Sequence, residues 1–288
     1  MTNTLHYDFM VKKLREFFQG RGFVEVPAQS RVSIIAACKD PKTITQYKIG
    51  NVMYPLPQTG QMWLEYELLK NPHWKGVYCI TTSYRDEPVI IQGRHHRVFP
   101  MFEFEAPGDF NALRRIERDL LFSLGLPMPS EISYTQACQR YESEFIEAEH
   151  EAMLCNELSP IVSLERFPIR TNPFWNMKQQ EDGLCNKIDV LMYGMETIGS
   201  GERATNVEHM RDSFFDILEG QYSQLLFDKF SKERVLKELD EYLSHDFFPR
   251  FGAGIDLTRL ENALHKANLF ECNNIYPAIS SGYSQSML

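Results

Sequence analysis

The sequence predicts an α+β protein: one domain over residues 1–288, with a mainly antiparallel sheet flanked by helices. Three observations predict it. Strand-like runs come in adjacent pairs joined by polar turns, at 76–85 with 98–106 and within 187–199. Helical stretches do not alternate regularly with strands, as the crossovers of a doubly wound sheet require. No repeat, low-complexity linker or break in composition divides the chain.

Taken in order, residues 6–20 place Phe9, Met10, Leu14, Phe17 and Phe18 at helical spacing. Gly20 and Gly22 end that helix, and Phe23, Val24 and Val26 open a strand. Residues 52–58 read as extended. Residues 59–71 read as a helix closed by Asn71-Pro72. The β-rich run 76–85 leads through a polar loop, 87–97, to a returning strand at 98–106 that alternates apolar and acidic residues. Residues 109–124 form an amphipathic helix. The acid-rich stretch 131–165 reads as mostly helical, with a solvated face. A strand–turn–strand follows at 187–199, then helix over 208–243. Residues 251–267 read as a glycine-rich strand end running into a helix.

Composition sets the class. At 288 residues and 43% hydrophobic, the chain buries a core without covalent staples. No apolar run approaches the ~20 residues of a membrane helix. The N-terminus is an amphipathic helix rather than a signal peptide. Six scattered cysteines (Cys38, Cys79, Cys138, Cys155, Cys185, Cys272) form no CxxC pair, which predicts reduced thiols in a cytoplasmic protein. The net charge of −9 does not favour a nucleic-acid partner.

Residues able to do chemistry fall into ordered clusters. The first is Tyr84-Arg85-Asp86-Glu87, then Arg94-His95 in the loop, then Phe99, Glu103 and Glu105. The second is Asp189, Glu196, Gly199, Gly201, Glu202 and Arg203. A third runs from Leu56 to Glu65 as LPQTGQMWLE, and near the C-terminus stand Gly252, Gly254 and Arg259. Each is weak alone, because loop arginines are usually solvated and GxG usually marks a turn. Their order is specific. It resembles motif 2, the acidic segment and motif 3 of the class II aminoacyl-tRNA synthetases, most nearly the aspartyl, asparaginyl and lysyl subgroup. The GRGFVEV segment is similar to motif 1, and the likeness covers nearly the whole chain.

The resemblance implies adenylate formation, in which a carboxylate attacks the α-phosphorus of ATP and pyrophosphate leaves. Preorganised cations at the phosphate oxygens suit that reaction, and arginine's planar fork suits paired oxygens. By resemblance, Arg85 holds the α-phosphate and the substrate carboxylate, and Arg94 and His95 reach the β,γ-phosphates. Phe99 and Arg259 sandwich the adenine, Gly254 belongs to the ATP site, and Glu87 lies near the adenine or the acceptor end. Asp189 and Glu196 hold Mg²⁺. Gln61 takes the amino group of the amino acid, with Thr59 nearby. Arg203 reads its side chain with Glu202 beside it, which favours aspartate, then asparagine.

Several positions depart from the pattern. Gln29 stands at the motif 1 proline, Val98 at a motif 2 glutamate, and Leu64 at the lysine of aspartyl enzymes. Asp256 and Thr258 replace the usual glycine and acid of motif 3. Val98-Phe99 and Thr258-Arg259 are similar to the ammonia-dependent asparagine synthetases, which lack a tRNA-binding domain. The expectation is therefore a catalytic domain without an anticodon-binding domain, passing its adenylate to ammonia or a small amine. A shortened tRNA-charging ligase and a regulatory amino-acid and ATP sensor are the alternatives. The family also implies a homodimer, with Phe17, Phe18, Phe23 and Val26 expected at its interface.

Overall fold

The elements follow from local rules. In the computed structural model, which describes residues 2–34 and 41–272, helix α1 spans Thr4–Gln19. The Asn3 side chain caps it by accepting from the Leu5 and His6 amides. Its apolar stripe buries Met10, Val11, Leu14, Phe17 and Phe18. Gly22, at φ +78°, makes the turn into strand β1 (Val24–Glu25). A small hairpin follows, β2 (Gln46–Ile49) with β3 (Val52–Pro55), and then α2 (Gln61–Lys70). Next come β4 (Val77–Tyr84), β5 (Val98–Pro107) and α3 (Phe110–Ser123), which Asp109 caps.

Residues 131–165 depart from the helical expectation. Strand β6 (Ser130–Ser133) precedes α4 (Tyr134–Arg140) and α5 (Ala148–Glu157), and β7 (Ile161–Pro168) closes the stretch. In β7 the period is two. Val162 and Leu164 pack against Tyr134 and Leu154, while Ile161 joins the main core on the opposite face. The hairpin at 187–199 is present as β8 (Leu184–Met192) and β9 (Met195–Glu202). Helices α6 (Val207–Asp216), α7 (Gln221–Phe230) and α8 (Lys232–Leu243) follow, then β10 (Arg250–Asp256), α9 (Leu257–Lys266) and the short α10 (Leu269–Cys272).

Among the described residues, eight strands form one sheet in the order β1-β4-β5-β10-β9-β8-β7-β6. Only the outermost pairs, β1 with β4 and β6 with β7, are parallel. The α+β expectation holds, with a mainly antiparallel sheet. One face is dry. Phe102 and Phe104 of β5 meet Phe18 of α1 at ring-centroid distances of 5.1 and 4.7 Å. Leu113 and Ile116 of α3 and Leu260 and Leu264 of α9 complete that core. Each such buried side chain contributes about 1.5–3 kcal/mol. The other face carries at one end α2, whose Met62, Tyr66 and Leu69 join α6, α7 and α8 in a second core, and at the other α4 and α5 against β7 and β8. Between them the middle strands lie open, and the cavity is there.

Phe17, Phe18, Phe23 and Val26, expected at a dimer interface, are 0–8% exposed and belong to the chain's own cores. Cys79, Cys138, Cys155 and Cys185 are free thiols, as expected. Cys38 and the side chain of Cys272 lie outside the described residues. Among the described residues no helix is long and apolar enough to cross a membrane.

Candidate active site

Strand alternation builds the floor of the cavity. On β5, Phe102, Phe104 and Ala106 point into the dry core, so Phe99, Met101, Glu103 and Glu105 face the other way. On β10, Phe251, Ala253 and Ile255 fill the core, which turns Gly252, Gly254 and Asp256 to the open face. The register aligns Gly199, Gly254 and Glu103 in one row across three strands, and Gly201, Gly252 and Glu105 in the next. In these two rows the floor is thus bare of side chains on β9 and β10 and carries carboxylates on β5.

A cavity of about 530 Å³ lies over this floor. Of the residues expected in the site, Thr59, Gln61, Arg85, Glu87, His95, Phe99, Glu196, Arg203, Gly254 and Arg259 line it. They come from α2 and its approach, the β4–β5 pair and its loop, β9, β10 and α9.

The cations occupy distinct places. Arg85, at the end of β4, accepts its orientation from Ser83, whose Oγ receives its Nε at 3.3 Å, and from Phe99, with the guanidinium 5.1 Å from the ring centroid. Arg259 sits in the first turn of α9. It donates to the Glu196 carbonyl at 2.6 Å, and its Nε lies 3.4 Å from Asp256 Oδ2. Asp256 caps α9 by accepting from the Thr258 and Arg259 amides at 2.8 and 3.1 Å. Of the two motif 3 departures, Asp256 is therefore the N-terminal cap that sets the position of Arg259, and Thr258 donates to it from its amide and its Oγ1. His95 Nδ1 lies 3.2 Å from Glu87 Oε2 across the loop.

The closed end of the cavity is a buried charge network. Glu65 and Arg250 are fully buried, Glu105 is 1% exposed and Arg203 is 4% exposed. Arg203 donates from Nε to Glu105 Oε1 at 3.0 Å and also from Nη2, and its Nε lies 3.7 Å from Glu65. Arg250 donates to Glu65 at 2.6 Å and to Tyr242 at 2.7 Å. Asn176 and Gln61 each donate to Glu65 at 2.8 Å. Burial alone would raise Glu65, but Arg250 and Arg203 outweigh it and hold the carboxyl down at about 2. Burial pushes Glu105 up against the pull of Arg203. Gln61 spends its amide NH₂ on this network, so its carbonyl is the group it can present to a ligand.

Glu103 sits between the two ends. It accepts from Thr59 Oγ1, from the Gly60 amide at 2.7 Å and from Thr81 Oγ1 at 2.5 Å. Burial raises its pKa, opposed by those donors and by Arg85. Three donors fixing one carboxylate in a cavity make a preformed acceptor for an ammonium group.

Three expected residues lie outside the lining. Arg94 turns away from the cavity, donating to Glu151 and to the Gly194 carbonyl, so it pins the loop to the β8–β9 turn. Glu202 is the strand neighbour of Arg203 and therefore points through the sheet. It accepts from the Phe110 amide at 3.1 Å, Asn186 at 2.6 Å and Lys178 at 2.7 Å. Neither side chain lines the cavity. Asp189 receives the Lys187 ammonium, and Lys187 itself lines the cavity 3.7 Å from the Phe167 ring centroid.

Asp189 and Glu196 nevertheless both approach Gly199. A Cβ on Gly199 would stand 2.8 Å from Glu196 Oε1 and 3.8 Å from Asp189 Oδ1. Two carboxylates beside bare backbone are an oxygen donor set that fits Mg²⁺, an ion usually held by one or two carboxylates plus phosphates and water. Among the described residues no three His, Cys, Asp or Glu gather into a metal cage.

Sequence reasoning left Glu65, Glu105, Arg250 and Lys187 without roles. The alternation F-E-F-E on the returning strand marks Glu103 and Glu105 as facing one side. Nothing local marks Glu65 or Arg250, which meet across 185 positions.

Known proteins share this fold. The family model of class II tRNA synthetases (D, K and N) matches residues 3–277. No curated protein sequence matches significantly. Among solved structures, the asparaginyl-tRNA synthetase of Pyrococcus horikoshii complexed with asparaginyl-adenylate superposes with a TM-score of 0.75 at 18% identity. The match covers 97% of this chain and 69% of that one. The Entamoeba histolytica asparaginyl-tRNA synthetase with asparaginyl-adenylate gives 0.71 at 17%, covering 98% and 67%. The aspartyl-tRNA synthetase of that organism gives 0.67 at 14%, covering 90% and 55%. At these identities the structures establish the fold, and the family model, spanning nearly the whole sequence, establishes that the chain belongs to the class II tRNA synthetases of the D, K and N group.

Proposed function

We propose that the chain activates a small amino acid with ATP: a carboxylate oxygen bonds to the α-phosphorus, the bond to the β-phosphate bridge breaks, and pyrophosphate leaves. The observation that carries this reading is Arg85 and Arg259 facing one cavity above the glycine rows, with Phe99 beside Arg85. Arg85 meets the α-phosphate and the attacking carboxylate, and Arg259 faces the nucleotide from α9. Phe99 offers its ring to the adenine and His95 reaches toward the outer phosphates. Glu103, with Thr59 and the Gln61 carbonyl, takes the α-ammonium. Mg²⁺ held by Asp189 and Glu196 would neutralise phosphate charge. The amino-acid side chain then points to the closed end at Arg203, which suits a residue of aspartate's or asparagine's size.

The test is amino-acid-dependent ATP–pyrophosphate exchange across the standard amino acids. Exchange with at least one of them is expected, and none with any would overturn the reading. For the second step we propose a small amine or ammonia as acceptor, supported by the net charge of −9, which disfavours a polyanion. Amide product with ammonia, and no label on precipitated tRNA, is the expected result.

A further inference from the structure

We infer that Glu105 is a built-in counter-ion that masks Arg203, so that the cavity selects an amino acid whose side chain carries no net charge. The inference rests on the adenylation reading above. If the substrate carboxylate meets Arg85 and its ammonium meets Glu103, the side chain extends to the next row of the floor, which is Gly201, Gly252 and Glu105. At that row Arg203 is already occupied. Its Nε and Nη2 both donate to Glu105, with Glu65 3.7 Å from Nε on the other side.

Two features show that this pair is built in. Gly252 makes room for it: a Cβ there would lie 2.0 Å from Glu105 Oε1, so the carboxylate lies across bare backbone to reach the guanidinium. The charges also balance, since Arg203 and Arg250 face Glu65 and Glu105, all four nearly or wholly buried. A substrate carboxylate would have to displace Glu105 and leave it buried without its cation. A substrate ammonium would meet Arg203 with both acids already committed. Leu64, fully buried in the cavity wall, supplies no further charge.

The experiment measures kcat/KM for pyrophosphate exchange over all amino acids in the wild type and in Glu105→Gln. In the wild type an uncharged amino acid should outperform aspartate, glutamate, lysine and arginine by at least ~10²-fold, the scale of a buried ion losing its partner. Glu105→Gln unmasks Arg203 and should narrow the gap to aspartate at least ~10-fold, while Glu105→Gln combined with Arg203→Met should cancel that gain. If Glu105→Gln does not fold, Gly252→Ala, which pushes Glu105 aside with both charges retained, provides the second comparison. Wild-type exchange with aspartate within about tenfold of the best amino acid overturns the inference. So does an unchanged ratio in the folded variants. Exchange with no amino acid at all overturns the adenylation reading instead.

Discussion

Arg85 is held by few protein contacts, which leaves most of its guanidinium for a ligand, whereas Arg259 is held at both Nη atoms and beside Asp256, which leaves its planar face. Arg85 has one hydrogen bond to Ser83, and Arg259 donates to backbone carbonyls. Arg85→Ala and Arg259→Ala should each lower exchange by ~10²–10³-fold, the usual loss on removing one charge-stabilising donor. The melting temperature should stay within a few degrees. Activity within about fivefold of wild type in either variant would remove that residue from the machinery. Glu117 is the opposite case. It lies buried on α3 beneath β9, with Oε1 unpartnered, and burial pushes it up to about 8 from 4.5, with Glu165 and Asp189 adding to the rise. A carboxyl raised on folding binds its proton more tightly in the native state, so its contribution is complete below pH 4.5 and is lost as pH rises through 8. Glu117→Gln should raise the melting temperature at pH 8.5 relative to pH 5.5, by about 2–4 °C for each kcal/mol relieved. An equal shift at both pH values would show that Glu117 does not titrate in this way. Single residues were unevenly legible in the sequence. The motif arginines Arg85 and Arg259 line the cavity, whereas Glu202 was placed there with Arg203 although adjacent strand residues face opposite sides.

Elements carry the site through what they leave out as much as through what they present. Gly254 keeps the floor open beside Arg259, and a methyl group there would come 2.7 Å from the end of the flexible Met101 side chain. Gly254→Ala should therefore fold with little loss of stability but weaken ATP binding, read by calorimetry. Unchanged affinity would mean that the nucleotide does not cross β10. Asp256→Ala removes the cap of α9 and should cost ~0.5–2 kcal/mol, while Asp256→Asn keeps an accepting oxygen and should recover most of it. Equal stability of the two variants would show that the cap does not hold α9. The β4–β5 pair, the β8–β9 hairpin and β10–α9 were readable because their glycines and alternating residues are local signals. Strands β6 and β7 were not. Their acid-rich surroundings resemble a solvated helix, and β7 reveals its period only once Val162 and Leu164 meet α4 and α5.

For the whole molecule, the order of motifs was enough to read the fold, because each motif is a strand or helix terminus that must occupy one place in the sheet. A surface for a second copy is not readable from the sequence, since an apolar side chain there does not show whether it serves the core or an interface. Phe18 is wholly buried against Phe102 and Phe104, so Phe18→Ala should cost about 3–5 kcal/mol in the chain itself. We propose a homodimer formed through the outer corner of α1, β1 and α3. There β1 ends the sheet with its outer edge unpaired among the described residues. Arg21 meets Asp119 at 3.1 Å, and Phe122, one turn further along α3, is 76% exposed. A partner seated on this corner would cover the exposed Phe122 ring. Light scattering at micromolar protein should give twice the chain mass of 33.6 kDa. Phe122→Glu should shift that mass toward the monomer with little change in secondary structure. A monomeric wild type would overturn the dimer, and an unaltered dimer in Phe122→Glu would move the interface away from this corner.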